Sequence, residues 1–217
     1  KKGKEESLIR RHPWIFSGAI HHTEGEFQEG DVVRVLTAQG DFIAVGHWQI
    51  GSIAVRVLSF MDETINGEFY ENNLSVALDV RRSIGLLRNG KDIDEQDINT
   101  TYRLVHGEGD GLPGLVIDMY DGTAVMQAHS VGMHADRMLI ANSLKKIMGE
   151  ELKAVYYKSE TTLPFKADLG QENGFLIGQS NNDIAIENGL KFHIDWLKGQ
   201  KTGFFVDQRD NRSLLEQ

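Results

Sequence analysis

The stretch Gly30-Asp31-Val32-Val33-Arg34-Val35-Leu36-Thr37-Ala38-Gln39-Gly40-Asp41-Phe42-Ile43-Ala44-Val45-Gly46 decides how the N-terminal part of this 217-residue chain folds. It holds two runs of strand-forming residues on either side of Gly40, and a third run follows the next glycine, Gly51. Short strands broken by glycines are typical of small barrels, so we predict a compact β-barrel here. The predicted strands are Asp31–Leu36, Phe42–Gly46 and Ser52–Phe60.

The region after this barrel mixes helical and strand patterns. Apolar residues at helical spacing predict one amphipathic helix over Glu68–Leu87, with Arg81 and Arg82 on its polar side. The polar stretch Arg88–Thr101 predicts a loop. A second helix is predicted over Met133–Met148, and strands are predicted over Tyr102–Val105, Leu115–Tyr120, Thr123–His129 and Ala154–Lys158. The mixture indicates an α+β domain.

The C-terminal part begins with a strong local signal. Apolar residues alternate with polar ones on both sides of Asn188-Gly189, which predicts a hairpin with a two-residue type I′ turn. Further on, Asp207 is placed to cap a helix beginning at Gln208, and Asp210 adds negative charge to its first turn. These patterns predict domains over residues 1–65, 66–182 and 183–217.

Charge is the main objection to a nucleic-acid partner. The net charge is −9, whereas affinity for a phosphate backbone normally comes from lysine and arginine. The cations concentrate at the N-terminus, where Glu5 and Glu6 are outnumbered by Lys1, Lys2, Lys4, Arg10 and Arg11. Charge therefore predicts a small basic footprint on an acidic protein.

Several classes of protein and site are excluded by composition. The chain has no cysteine, so it holds no disulfide, no thiolate metal site and no cysteine nucleophile. It has no apolar run of about 18 residues that could cross a bilayer, so we expect no membrane partner and a cytoplasmic protein. The adjacent His21 and His22 would point to opposite faces of a strand, and we expect no metal site.

Two glycine-containing loops resemble phosphate-binding motifs. Gly109–Gly114 matches G-x-G-x-x-G, but a strand pattern follows it where a dinucleotide site requires a helix. We therefore predict a turn between strands. Gly199-Gln200-Lys201-Thr202 lacks the glycines that a P-loop requires, so it is not predicted to bind a nucleotide.

The run Arg10-Arg11-His12-Pro13-Trp14-Ile15-Phe16 joins cations to aromatic rings. RNA-binding modules use these groups to hold phosphates and to stack bases. We predict RNA contacts from Lys4, Arg10, Arg11 and Trp14. The alternative is that Trp14 and Phe16 pack into the barrel with the arginines solvated, and we assign Phe16 to the core in either case.

Three stretches, read in order, resemble one family: Arg11–Ile20, Gly107–Asp118 and Gly199–Arg212. It is the class I S-adenosylmethionine-dependent methyltransferases of 23S ribosomal RNA that carry an N-terminal PUA domain, the group containing the bacterial cytosine-5 enzymes. The resemblance implies an α+β fold class: a PUA-like RNA-binding barrel, a mixed α/β central domain and the start of a Rossmann-like methyltransferase domain. It also implies S-adenosylmethionine as cofactor and 23S ribosomal RNA as partner.

The resemblance further implies which residues face the cofactor. In related enzymes the corresponding segment folds over the methyl-donor pocket, so Phe205 is expected to pack against the donor, with Asp207, Gln208 and Arg209 as nearby polar groups. The alternative is that Phe204 and Phe205 fill the core and Arg209 forms a surface ion pair.

Methylation of cytosine at carbon 5 needs a cysteine nucleophile, which this chain lacks. We therefore expect no catalytic residue here, and a fragment that is inactive without the rest of the catalytic domain.

The sequence is also compatible with other interpretations of function. The full-length enzyme could methylate guanine instead of cytosine, or the chain could be a stand-alone, non-catalytic PUA protein that binds RNA. An enzyme acting on a small molecule through acidic residues near Gly107–Gly114 lacks any paired-carboxylate spacing. The oligomeric state is also open, with a homodimer among the candidates.

Overall fold

The structure is a computed structural model that describes residues 1–87, 94, 98–164, 169 and 172–215. The predicted loop over residues 88–101 lies partly outside these ranges. The strands form a four-stranded sheet near the N-terminus, a five-stranded sheet in the centre and a two-stranded hairpin near the C-terminus. Within the described residues, no helix is both long and apolar enough to cross a membrane.

The N-terminal sheet confirms the three predicted strands and adds one. Its order is β1-β4-β3-β2, and every neighbouring pair is antiparallel. A short helix, α1, precedes it and contributes the buried Leu8 to its core. The elements are α1 (Glu6–Ile9), β1 (Trp14–Phe16), β2 (Val32–Leu36), β3 (Phe42–Trp48) and β4 (Ile53–Ser59).

The placement of Phe16 in the core was wrong. Successive side chains of a strand point to opposite faces, and in β1 the inward position belongs to Ile15. Ile15 is 5% exposed and packs in the core of the sheet, whereas Phe16 is 50% exposed. The outward face of β1 therefore carries an aromatic ring.

The first long helix is α2 (Gly67–Ser83), which begins where the Asn66 side chain accepts a hydrogen bond from the Phe69 backbone N–H. It ends four residues before the predicted Leu87. Arg81, which helical spacing places on the polar side of this helix, does not lie in solvent. Arg81 is buried because its guanidinium forms a two-bonded ion pair with Asp110 from the central domain.

The central sheet has the order β5-β6-β7-β8-β9, with β7 and β8 parallel and the other pairs antiparallel. Helix α2 packs on the strand Thr101–His106 and on the helix Arg137–Met148, and the hairpin residues pack against the cluster around Tyr120 and Tyr156. The predicted β5 to β8 are confirmed, and β9 was not predicted. The strands are β5 (Thr101–His106), β6 (Leu115–Tyr120), β7 (Thr123–Ala128), β8 (Ala154–Tyr157) and β9 (Gly174–Gly178).

The single helix predicted over Met133–Met148 is two helices, α3 (Val131–Ala135) and α4 (Arg137–Met148). They meet at Asp136, whose carboxylate forms contacts outside the helix. Its Oδ2 accepts a 2.6 Å hydrogen bond from the Tyr70 hydroxyl and lies 3.1 Å from Nε2 of His47 in β3. Burial alone would raise the pKa of Asp136, but these hydrogen bonds outweigh it and the pKa lies below its ordinary value.

This contact joins the N-terminal sheet to the central domain through a close approach at Gly132. A Cβ atom on Gly132 would lie 2.1 Å from Cγ of the His47 ring, so only glycine fits. His47 is 1% exposed. The two domains therefore share a buried, hydrogen-bonded joint.

The predicted hairpin is confirmed as β10 (Ile184–Glu187) and β11 (Leu190–His193). Asn188 and Gly189 have φ angles of 51° and 78°, as a type I′ turn requires. The C-terminal helix, α5 (Arg209–Leu215), begins one residue later than predicted. Asp207 lies inside a 3₁₀ turn over Val206–Gln208, so it is not the residue that caps α5.

Candidate nucleic-acid interface

A surface groove of about 650 Å³ beside α1 brings the predicted RNA-binding cations together. Helix α1 is too short to be stable alone, and the buried Leu8 anchors it on the N-terminal sheet. The turn that follows has Arg11 at a φ of 59°. The groove is lined by Gly3, Lys4, Glu6, Ser7, Arg10, Arg11, His12 and Pro13.

The groove cations are only weakly engaged by the protein itself. Arg10 pairs with Glu6 at 4.0 Å, and both side chains are about 80% exposed, so the pair contributes little stability. The Arg11 guanidinium lies 5.6 Å from the centroid of the Phe60 ring. Both arginines can therefore exchange these contacts for a phosphate at small cost.

An aromatic strip lies next to the groove. It consists of His12, Trp14 and Phe16, which share one side of the chain because they alternate along an extended segment. The Trp14 ring centroid lies 5.9 Å from that of His12 and 6.5 Å from that of Phe16, and Phe16 is half exposed. Exposed rings of this kind offer stacking surfaces for nucleic-acid bases.

Trp14 is held in place from across the domain boundary. Its indole N–H donates a 2.7 Å hydrogen bond to Oε1 of Glu108, and the Arg56 guanidinium lies 5.9 Å from its ring centroid. Trp14 is partly exposed and does not lie in the core cluster of the N-terminal sheet. The ring therefore connects the aromatic strip to the central domain.

Glu108 lies in a 3₁₀ turn over Gly107–Asp110, between β5 and β6. This confirms that the Gly109–Gly114 motif connects two strands. Asp110 fixes the turn through Arg81 and through a hydrogen bond from the His106 backbone N–H. Burial would raise the pKa of Asp110, but the hydrogen bonds from Arg81 and His106 outweigh it and the pKa is lowered.

The Gly199–Thr202 loop is tied into the central sheet instead of offering a phosphate site. The buried Thr202 hydroxyl donates a 2.6 Å hydrogen bond to Oδ2 of Asp118 and lies 2.8 Å from the Tyr120 hydroxyl. Asp118 is fully buried and accepts two further bonds from Arg103, at 2.8 and 2.9 Å. The hydrogen bond to Asp118 raises the pKa of Arg103.

The predicted cofactor segment divides into exposed and engaged residues. Phe205 is 41% exposed, with the Lys201 ammonium 4.7 Å from its ring centroid, whereas Phe204 packs against Phe192. Asp207 is exposed, and its pKa is lowered because backbone hydrogen bonding and the Lys201 charge outweigh desolvation.

The remaining two residues of that segment are engaged within the protein. The Gln208 side-chain oxygen accepts a 2.6 Å bond from the Asn211 amide. Arg209 donates to the Thr101 carbonyl oxygen, and its Nε lies 3.5 Å from the buried Glu187. Desolvation lowers the pKa of Arg209. The alternative of a surface ion pair is therefore half right: Arg209 forms an ion pair, but its partner Glu187 is buried, with 2% of its surface exposed.

Sequence reasoning missed the contacts of Glu108, Arg56 and Asp118. Trp14 and Glu108 are 94 residues apart, and Asp118 and Thr202 are 84 residues apart. The spacing of nearby residues does not reveal such pairs, although both acidic residues lie in Gly107–Asp118, one of the three stretches that carry the family resemblance. No cluster of three or more metal-binding side chains occurs in the part of the chain that the structure describes.

Comparison with known proteins identifies the N-terminal part directly. Residues 1–60 match the family model of a PUA-like domain. The chain is 37% identical to a ribosomal RNA large subunit methyltransferase I from Aeromonas salmonicida, over 99% of this chain and 52% of that protein. It is 38% identical to the protein of the same name from Aeromonas hydrophila, over 97% of this chain and 52% of that protein.

Solved structures agree on the fold. A Streptococcus mutans protein provisionally assigned as a SAM-dependent methyltransferase superposes with a TM-score of 0.77 at 19% identity, over 99% of this chain and 52% of that one. A second protein, provisionally assigned as a methyltransferase and complexed with SAH, gives 0.76 at 19% identity, over 98% of this chain and 51% of that one.

This chain spans about half the length of the curated relatives it matches. It consists of a PUA-like domain joined to an α+β region and is homologous, over nearly its whole length, to the ribosomal RNA large subunit methyltransferases I.

Proposed function

We propose that this chain is the RNA-recognition and central portion of an S-adenosylmethionine-dependent methyltransferase that modifies 23S ribosomal RNA. The observation that carries the proposal is the 37% identity to a ribosomal RNA large subunit methyltransferase I across almost the whole chain. The PUA-like match and the cation-lined groove support it independently.

In this proposal the groove holds the RNA backbone. Lys4, Arg10 and Arg11 contact phosphates, while the aromatic strip with Trp14 stacks on unpaired bases. The acidic net charge is compatible with this division because the cations required are concentrated in one groove. Ribosomal RNA as substrate makes the cytoplasm the expected location, and a homodimer is the assembly to test first.

We propose cytosine carbon 5 as the methylated atom, on the family resemblance described above. That reaction needs a nucleophile that adds to carbon 6, and cysteine serves this purpose. This chain has no cysteine, so the nucleophile would come from the portion of the longer relatives that it does not span. The chain itself would bind and position RNA.

The segment from Phe205 to Arg209 fits a place beside the methyl donor. S-adenosylmethionine, when bound, would supply the methyl group. The exposed Phe205 ring offers an apolar wall, and Asp207 and Gln208 offer polar groups on the same turn. Arg209 is already paired with Glu187, so its proposed contribution is to hold this turn against the central sheet.

RNA binding by the groove can be tested with this chain. Affinity for a 23S ribosomal RNA fragment is measured at two salt concentrations with Arg10 and Arg11 both changed to Ala, and with Lys191→Ala as a control cation on the distant hairpin. We expect the double variant to weaken binding and to reduce the salt slope by about two phosphate contacts, about 0.7 each for a single strand. An unchanged affinity and slope would remove the groove from the interface.

The methylated base is tested with the full-length protein. Methylation of 23S ribosomal RNA is followed with labelled S-adenosylmethionine, and the modified nucleoside is identified by mass spectrometry. We expect 5-methylcytidine. Methylated guanosine would support the alternative specificity, and RNA binding without any methylation would support a stand-alone RNA-binding protein.

A further inference from the structure

We propose that a second cleft, between the N-terminal sheet and the Gly107–Asp110 turn, binds one unpaired RNA base that presents an exocyclic amino group next to an acceptor ring nitrogen, as cytosine and adenine do. We call it the interdomain cleft. This inference rests on the proposed function and adds to it a base-reading site distinct from the cation groove. Its lining residues are Arg56, His106, Gly107, Glu108, Gly114, Leu115, Val116 and His129.

The size of the interdomain cleft suits a single base. Its volume is about 250 Å³. Pockets that enclose whole drug-sized ligands measure about 300–1,000 Å³, so this cleft matches one heterocycle better than a complete dinucleotide or cofactor. Gly114 lets this wall pack closely on Ser130, because its φ is 86° and a Cβ there would approach the Ser130 hydroxyl to 2.9 Å.

Hydrogen-bonding groups on the cleft wall lack partners within the described residues. Glu108 uses Oε1 for the Trp14 indole, which leaves Oε2 without a hydrogen bond. Arg56 donates through Nε to Gln49 and keeps Nη1 3.6 Å from Glu108, which leaves Nη2 available. The ring of His129 also makes no hydrogen bond to any described residue. An acceptor oxygen of Glu108, a guanidinium nitrogen of Arg56 and the imidazole of His129 therefore line the cleft with capacity for a ligand.

The protonation state of His129 favours a neutral ligand over a phosphate. Partial desolvation lowers the pKa of the His129 ring, the charges of Arg56 and Arg103 lower it further, and the charge of Glu108 opposes them. The lowered pKa favours the neutral ring, which has one nitrogen as donor and the other as acceptor. The carboxylate of Glu108 would also repel a phosphate.

The pattern of donors and acceptors selects among the bases. A carboxylate accepts hydrogen bonds from an exocyclic amino group, and an arginine donates to the adjacent ring nitrogen. Cytosine and adenine present that pair of groups on their Watson–Crick edges. Uracil would place a carbonyl oxygen against Glu108, and two acceptors facing each other would leave both unpaired.

A continuous path joins the groove to the interdomain cleft. His12 and Pro13 line the groove, Trp14 follows them in β1, and the indole of Trp14 is bonded to Glu108 in the cleft. A single strand whose phosphates lie along the groove can therefore pass the aromatic strip and insert one base between the two domains.

The test compares short single-stranded RNAs of cytosine, adenine or uracil for binding to this chain by fluorescence anisotropy. We expect tighter binding of the cytosine and adenine RNAs than of the uracil RNA. Glu108→Gln, which replaces one acceptor oxygen with a donor, should reduce this preference about tenfold. His129→Ala should weaken binding of the cytosine and adenine RNAs about fivefold and should weaken binding of the uracil RNA less.

Changing Arg10 and Arg11 together to Ala provides the matched control, because loss of phosphate contacts should weaken all three RNAs equally and keep the preference. If the chain binds the three RNAs equally, or if Glu108→Gln retains the preference, the cleft assignment fails while the groove stands. Absence of RNA binding overturns both proposals. Thermal unfolding checks that each variant is folded. If Glu108→Gln is unstable, the base preference of His129→Ala is the test, because His129 is exposed and its substitution should leave the fold intact.

Discussion

The hydrogen bond from Thr202 to Asp118 provides a sharp test of how the C-terminal segment is held. Thr202→Val keeps the shape of the side chain and replaces its hydroxyl with a methyl group. Thr202 is fully buried, and its hydroxyl contacts both Asp118 and Tyr120. The variant would leave Asp118 with the two bonds from Arg103 and leave the Tyr120 hydroxyl without this partner.

The expected cost follows from the charges involved. A hydrogen bond to a charged acceptor contributes about 1.5–3 kcal/mol, and a buried hydroxyl left without a partner adds about 1 kcal/mol. We therefore expect Thr202→Val to lower the free energy of unfolding by about 2.5–4 kcal/mol. For a chain of this size, each kcal/mol corresponds to about 2–4 °C in Tm.

The matched control is Thr123→Val in β7. Thr123 is equally buried, but its hydroxyl has no hydrogen-bond partner among the described residues. Removing that hydroxyl should therefore be neutral or stabilising. Urea unfolding followed by tryptophan fluorescence reports on this region, because Trp196 packs in the same cluster as Tyr120. If Thr202→Val costs no more than Thr123→Val, the buried network does not anchor the segment.

Three further results are expected. Because the pKa of Asp136 is lower in the folded protein than in the unfolded chain, this carboxylate contributes stability that is fully present above the unfolded pKa of about 3.9. That contribution is lost as the pH falls through the folded pKa. In urea unfolding below about pH 4, the original chain should therefore lose stability that the Asp136→Asn variant does not lose. Gly114→Ala should lower the free energy of unfolding by about 1–2 kcal/mol, because the φ of Gly114 is 86°. Gly109→Ala should lower it by less than about 1 kcal/mol, because no atom lies nearer than 3.9 Å to the added Cβ. Equal losses in thermal unfolding would contradict this prediction. Arg209→Ala should destabilise the chain by leaving Glu187 with one partner fewer, and calorimetry with full-length protein should show weaker S-adenosylmethionine binding; unchanged binding would remove Arg209 from the cofactor side.

The parts of the fold that sequence predicted best are those with local causes. Strands β2 to β4 and the hairpin at Asn188-Gly189 follow from alternation and from turn residues close together in the chain. Strand β9 was missed because Gly174–Gly178 is short and bounded by glycines, and among the described residues it pairs with β8 alone. Its strand state depends on the sheet that receives it.

Contacts between distant residues account for the errors. Arg81 lies at a position that helical spacing makes polar, yet Asp110 draws it into the interior, because a paired and hydrogen-bonded charge can be buried. Likewise, the cations of the groove were predictable from a local excess of charge, whereas the fixed position of Trp14 depends on Glu108. A single sequence shows that both residues of such a pair are capable of the interaction, but it does not show that the fold brings them into contact.

The close approach of Gly132 to His47 gives the two domains a fixed separation. The joint is buried, hydrogen-bonded through Asp136 and too tight for any Cβ atom, so the N-terminal sheet cannot rock against the central sheet without breaking it. An RNA strand whose phosphates are bound by one domain and whose base is bound in the interdomain cleft would then always span the same distance between these two contacts. The protein would act as a molecular ruler, selecting RNA by the spacing between its contact points as well as by its sequence.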